Sequence, residues 1–140
     1  MSFGTAPAVT TVAEARGALN EADLAVSASP APSARFVRLA DLGLAGLIYQ
    51  LREHPALLEF AEQQAGPLLR HDELHGTDLT AVLRCYLASG GNKAEAAHRS
   101  GLARPTLYER LRSIEQVLGI GLDSPESRLA LHLALLTLRC

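Results

Sequence analysis

This chain has little by which a polyanion or a lipid bilayer could recognise it in bulk. Thirteen Lys and Arg residues stand against fifteen Asp and Glu, a net charge of −2, so overall basicity does not announce nucleic acid. No apolar run approaches the ~18–20 residues of a membrane-spanning helix, and the longest, near the C-terminus, is interrupted by His132. A basic start followed by an apolar stretch, the mark of a secretory signal, is missing too, and the expected location is cytoplasmic. Cysteine is scarce. Cys85 and Cys140 form no Cys-x-x-Cys pair and suggest no disulfide framework. Cys85 falls inside a helical apolar pattern and is expected to be a buried thiol.

What is present is the balance of a folded protein: 140 residues, 48% apolar and 20% charged. That length suffices for one domain with its own core, or for a small domain joined to a fragment of another. The distribution of charge says more than its sum. Between Lys93 and Arg112 five basic residues meet two acidic ones, Glu95 and Glu109, a local +3, which leaves −5 on the other 120 residues. A small basic patch on an acidic body can steer a polyanion to one face.

Along the chain, Thr11–Leu24 has the spacing of a modest helix, with Val12, Ala15, Leu19 and Ala22 on one side. Ser27–Ala34, SASPAPSA, reads as a linker. FVRL (Phe36–Leu39) is the one convincing strand, and it needs a partner that the chain does not obviously supply. From Asp41 onward the pattern is helical: Asp41 to about Arg52, Pro55 to about Gln64, then a turn at Gly66-Pro67. Thr77 is a natural N-cap for a helix carrying Leu79, Val82, Leu83, Tyr86 and Leu87 on one face. Ser89-Gly90-Gly91 stops it, Asn92 caps the next with Glu95 at the capping-box position, and Gly101 ends that one. Pro105 opens a helix with Leu107, Leu111, Ile114 and Leu118 inward, closed by Gly119. The last helix, from Ser124-Pro125-Glu126, is so rich in leucine that it must be deeply buried or form half of an interface.

HDELHGTDL (His71–Leu79) invites a metal reading, because two histidines four apart can share a helical face. Gly76 ends any helix that bears both. No third ligand stands at a usable spacing, and Asp72 occupies the position where the zincin signature needs glutamate. The expectation is no metal, no other cofactor and no catalytic site.

The chemistry follows that stretch. In NKAEAAHRSGLARPTLYERL (Asn92–Leu111) a short helix, a glycine turn and a longer helix succeed one another. Ala94, Ala96 and Ala97 permit a close helix crossing, Gly101 suits a left-handed turn, Leu102 points into the seam, and Leu107 and Leu111 dock the second helix. This is the plan of a helix-turn-helix over about residues 92–119, whose second helix enters the DNA major groove. A plain helix pair shares the same pattern.

The wider frame is more specific. DLG (Asp41–Gly43), GPLL (Gly66–Leu69), D-x-x-HGTDL (Asp72–Leu79), L-x-x-YL-x-x-GGN (Leu83–Asn92), AEAAHRSGLARPTLYERL, IEQVLG (Ile114–Gly119) and SPESRLALHLALL (Ser124–Leu136) follow in order. Together they resemble the C-terminal part of PucR/CdaR-type regulators, bacterial transcription factors, and the helix-turn-helix looks like that of the nucleoid protein Fis. SFG, the Thr11–Leu24 helix and FVRL resemble the tail of the GGDEF-like domain that precedes the helix-turn-helix in such proteins. The resemblance implies a mainly α fold: a multi-helix DNA-binding domain over residues 41–140, preceded by a helix-strand remnant and linker over 1–40. It implies control of transcription through double-stranded DNA, with a small-molecule effector sensed further N-terminal and the chain a piece of a longer regulator or a truncated relative.

On the second helix, Pro105, Tyr108, Glu109 and Arg112 are expected outward, with Ala103, Arg104 and Thr106 at its start, where backbone N–H groups remain free for phosphate. Arg104 is the candidate base reader, its fork matched to guanine O6 and N7. Thr106, Arg110 and Arg112 are candidate phosphate contacts, and Asn92 and Lys93 can clamp backbone from the first helix. Tyr108 stacks on sugar, meets a thymine methyl, or packs. Ala103 and Pro105 stand where relatives often carry polar residues, and Glu109 where a basic residue would help. His98 and Ser100 replace commoner apolar choices, which suggests a looser seam. Because one helix-turn-helix reads few base pairs, a homodimer is expected, with the last helix at its interface. The competing reading is a helical interaction or dimerisation module that has lost DNA binding.

Overall fold

The computed structural model describes residues 2–4, 22, 35–37 and 43–138. The SASPAPSA linker, Cys140 and all but Ala22 of the Thr11–Leu24 helix lie outside the described residues. The fold is mainly α, and the chain divides into two compact units, Met1–His54 with Cys140, and Pro55–Arg139.

In the first unit, β1 (Ser2–Gly4) pairs in parallel with β2 (Arg35–Val37), Phe3 opposite Phe36. The described part of FVRL, Phe36 and Val37, therefore has a partner, and SFG supplies it. Parallel neighbours need a crossover of a dozen or more residues, which is why the pairing has no local signature. Helix α1 (Leu44–Leu51) starts after Gly43 and ends where the Arg52 guanidinium lies 4.1 Å from the centre of the Tyr49 ring.

The second unit opens with α2 (Pro55–His75), a single helix of 21 residues with Pro67 inside it. The turn expected at Gly66-Pro67 does not form. A proline in a helix interior costs about 3 kcal/mol, but the buried face of Ala61, Ala65 and Leu68 runs through the interruption at helical spacing. Stopping there would pull Leu68 out of the core. The bare Cα of Gly66 leaves room for the Glu62 carboxylate, which crosses it to pair with Arg70 two turns on.

Four helices follow: α3 (Leu79–Ala88), α4 (Lys93–Ser100), α5 (Arg104–Leu118) and α6 (Pro125–Thr137). Helix α2 packs on α6 and α5, and α3 packs against α4, α5 and α6. The core joins Leu68 of α2, Leu83 and Tyr86 of α3, Leu107 and Ile114 of α5, and Leu131 of α6, none more than 1% exposed. Helix α6 buries Leu131, Ala134 and Leu135 but leaves Leu129 64% exposed. Its leucines thus divide between the chain's own core and the surface. Arg128 of α6 donates to the carbonyls of Leu122 and Asp123 at 2.9 and 2.8 Å, and lies against Gly91, where an added Cβ would press on it at 3.0 Å.

Candidate nucleic-acid interface

The interface is built on the joint between α4 and α5. Asn92 Oδ1 accepts from the backbone N–H of Ala94 and Glu95, at 3.0 and 3.1 Å, and fixes the start of α4. The reciprocal half of the capping box is replaced, because the Asn92 N–H donates to the Ser89 carbonyl instead. Ala96 and Ala97 are buried at the crossing, whereas Ala94 is exposed and takes no part in it. Neither does His98, which is exposed, and the Ser100 hydroxyl donates back to Ala96 of its own helix.

Gly101 then takes the left-handed conformation, φ 67°, and the Leu102 N–H reaches the Ala97 carbonyl at 3.2 Å. This closes α4 as a glycine-ended helix usually closes, with the following residue packed back on the core. Leu102 packs so. Helix α5 starts without a side-chain cap, since Ala103 offers no acceptor, and Pro105 lies in its first turn. The Arg104 and Thr106 N–H groups at that end therefore depend on solvent or a ligand.

With Leu107, Leu111 and Ile114 buried, the rest of α5 sorts itself around the helix. Ala103, Arg104, Pro105, Tyr108, Glu109 and Arg112 are exposed, and Thr106 and Arg110 are half-buried. Arg104 and Arg112 make no side-chain hydrogen bond or ion pair among the described residues. Lys93, from the first turn of α4, lies 5.4 Å from the centre of the Tyr108 ring and 3.4 Å from the Asp123 carboxylate. Six of the ten expected residues (Lys93, Arg104, Pro105, Tyr108, Glu109 and Arg112) thus share or border one open face.

Arg110 turns to the other flank and pairs with Asp78 at the start of α3. The groove on that side is lined by His71, Thr77, Ser113 and Gln116 among others. Its organiser is Asp72, the last-turn carboxylate of α2. Asp72 accepts from the backbone N–H of Leu79 and Thr80, at 2.9 and 2.8 Å, and from the Thr77 hydroxyl at 2.5 Å. Thr77 is therefore not the N-cap of α3. Asp78 holds that position without a side-chain cap bond, and a residue of the preceding helix satisfies the free donors. Burial alone would raise the Asp72 pKa, but the bonds from Thr77, Thr80 and Leu79 outweigh it and hold the carboxyl below its ordinary value. The Thr80 hydroxyl favours the charge as well, although it reaches hydrogen-bond geometry with no partner. The His71 and His75 rings stack 4.2 Å apart at the end of α2, with Nδ1 of each engaged, by Thr77 and by the His71 carbonyl.

Sequence reasoning missed Asp72, Asp78 and Asp123. The partners of the two aspartates that hold cations stand 32 and 30 residues away, so no local spacing marks them. Asp72 had a signal: a carboxylate at a helix end, seven residues before a helix start that lacks a cap of its own.

Residues 79–137 match the PucR C-terminal helix-turn-helix domain. The match runs from the first residue of α3 to the last of α6 and leaves α2 outside, although α2 packs on α6 and completes the core. The matched segment is thus similar to a DNA-binding regulatory module. No curated protein and no solved structure matches the chain. Among the described residues no helix is long and apolar enough to cross a membrane.

Proposed function

We propose that this chain binds double-stranded DNA sequence-specifically and regulates transcription, with α5 as its recognition helix. The observation that carries the reading is the open face of α5, where Arg104 and Arg112 stand exposed and, among the described residues, unpartnered within the segment that matches a helix-turn-helix domain. Arg104 reads a base edge from the first turn, Arg112 meets phosphate from the second half, and Lys93 clamps phosphate from α4. Thr106, Asn92 and Arg110 contribute at the margins. Tyr108, with Lys93 over its ring, packs against sugar.

Binding is by a homodimer, because two copies about 34 Å apart grip successive major grooves. The support on this chain is α6, with Leu129 exposed beside a groove lined by Leu87, His132 and Leu136. Sedimentation showing a folded monomer at high concentration with undiminished DNA affinity overturns the dimer.

The test of the function is an electrophoretic shift on duplex DNA from upstream of the chain's own gene. Wild type is expected to shift it at lower concentration than random duplex, and Lys93→Ala to weaken both alike, flattening the slope of log affinity against log salt by less than about one unit, because Asp123 already offsets that charge. A second reading, an interaction module without DNA binding, draws on one observation: Lys93 and Arg110 are already paired with carboxylates, and Glu109 adds a further negative charge on the outward face of α5. Absence of any shift at low salt decides for it.

A further inference from the structure

Lys93 at the start of α4 and Arg110 on the recognition helix are held, one on each side, by carboxylates from outside the helix-turn-helix. Lys93 is held by Asp123 of the loop between α5 and α6, and Arg110 by Asp78 at the start of α3. Counting these two aspartates lowers the local charge from +3 to +1. Among the described residues neither side chain forms another bond. Asp78 caps α3 only through its backbone carbonyl, which accepts from Ala81 and Val82, and the Asp123 side chain is 86% exposed. A carboxylate that steadies a fold is usually buried or bonded to backbone donors, as Asp72 is, and these two are neither.

We propose that Asp78 and Asp123 set the affinity of this domain for DNA, by competing with phosphate for Arg110 and Lys93. The inference rests on the DNA-binding reading above. Lys93 and Arg110 reach a phosphate only by leaving a partner that already supplies the same charge, so each contributes less to binding than a solvated cation would. Arg104 and Arg112 carry no such handicap. The effect falls on the phosphate contacts, which are common to all sequences, and leaves base reading to Arg104. The aspartates therefore act against unselective binding, with no contact to DNA of their own.

The experiment is a double-mutant cycle read on a random-sequence DNA duplex, with the whole chain, at several salt concentrations. An exposed ion pair is worth little, so Asp123→Asn and Asp78→Asn are each expected to tighten binding about two- to fivefold. The log–log salt slope is expected to steepen by up to about 0.9 for each cation released. The decisive arm is the background. In Lys93→Ala the Asp123→Asn gain is expected to vanish, and in Arg110→Ala the Asp78→Asn gain likewise, because each aspartate acts through one cation. Gains of equal size in those backgrounds reveal only a change in net charge and overturn the proposal, as does a wild-type affinity in both single variants. If wild type binds no duplex at low salt, the DNA-binding reading falls and this inference with it. If wild type binds and the variants match it, only this inference falls.

Discussion

On one flank of α5, Arg104 and Arg112 stand exposed beside Tyr108 and form no bond with the described protein; on the other, half-buried Arg110 pairs with Asp78 beside the carboxylate of Asp72. The same side chain sits on one helix in two conditions. An unpartnered guanidinium exchanges only water for phosphate or guanine, whereas a paired one must give up a carboxylate first. The flank built from α3 and the end of α2 is the joint against which the recognition helix packs. The opposite flank is the surface that the joint presents.

Mutations can break that contrast. The largest effect on recognition is expected from Arg104→Ala, which should lose roughly ten- to a hundredfold of the preference for operator over random DNA at unchanged thermal stability. Competition binding with the two duplexes measures it, and an unchanged ratio shows that Arg104 does not read bases.

Asp72→Ala should act on the other side of the contrast, lowering stability by about 0.5–2 kcal/mol through the loss of donors satisfied at the start of α3. Denaturant unfolding reads this directly. The pH dependence has a definite sign. The folded-state pKa lies below the ordinary value, so the Asp72 contribution is fully present above the unfolded carboxylate's pKa, about 3.9, and is lost as pH falls through the folded-state value. Wild type should therefore lose more stability than Asp72→Ala as pH is lowered through that range. Parallel curves contradict the bonding described for Asp72.

The smallest effects separate two of the phosphate candidates, Arg112 and Arg110. Arg112→Ala should flatten the salt slope by about one unit, and Arg110→Ala by less, because a carboxylate already offsets that charge. Equal slopes in the two variants would erase the distinction between the flanks.

Much of this arrangement is legible in the residues, and two glycines show where legibility ends. Gly101 and Gly66 both interrupt an apolar helical pattern, and by local rules Gly66 is the stronger stop, because Pro67 follows it. Gly101 does stop its helix, because Leu102 then reaches the core from a left-handed turn. Gly66-Pro67 does not, because Ala61, Ala65 and Leu68 keep their register against neighbours that lie far along the chain. Local chemistry favoured a turn and packing overruled it. The inward set Leu107, Leu111 and Ile114, the Asn92 cap and the outward face of α5 could be read because each depends on residues within a few positions. The parallel pairing of Ser2–Gly4 with Arg35–Val37, the capping by Asp72 and the pairing of Arg110 with Asp78 depend on partners that no short window contains.

The most direct test of the recognition surface is a titration of the isotope-labelled chain with duplex DNA, followed by residue-resolved amide and side-chain chemical shifts. The account predicts that changes concentrate at Lys93, Arg104, Thr106, Tyr108, Glu109 and Arg112, with smaller ones at Arg110 as it leaves Asp78, and none at the Asp72 joint. Shifts gathered on α2 or α6 with the exposed face of α5 unmoved would contradict it.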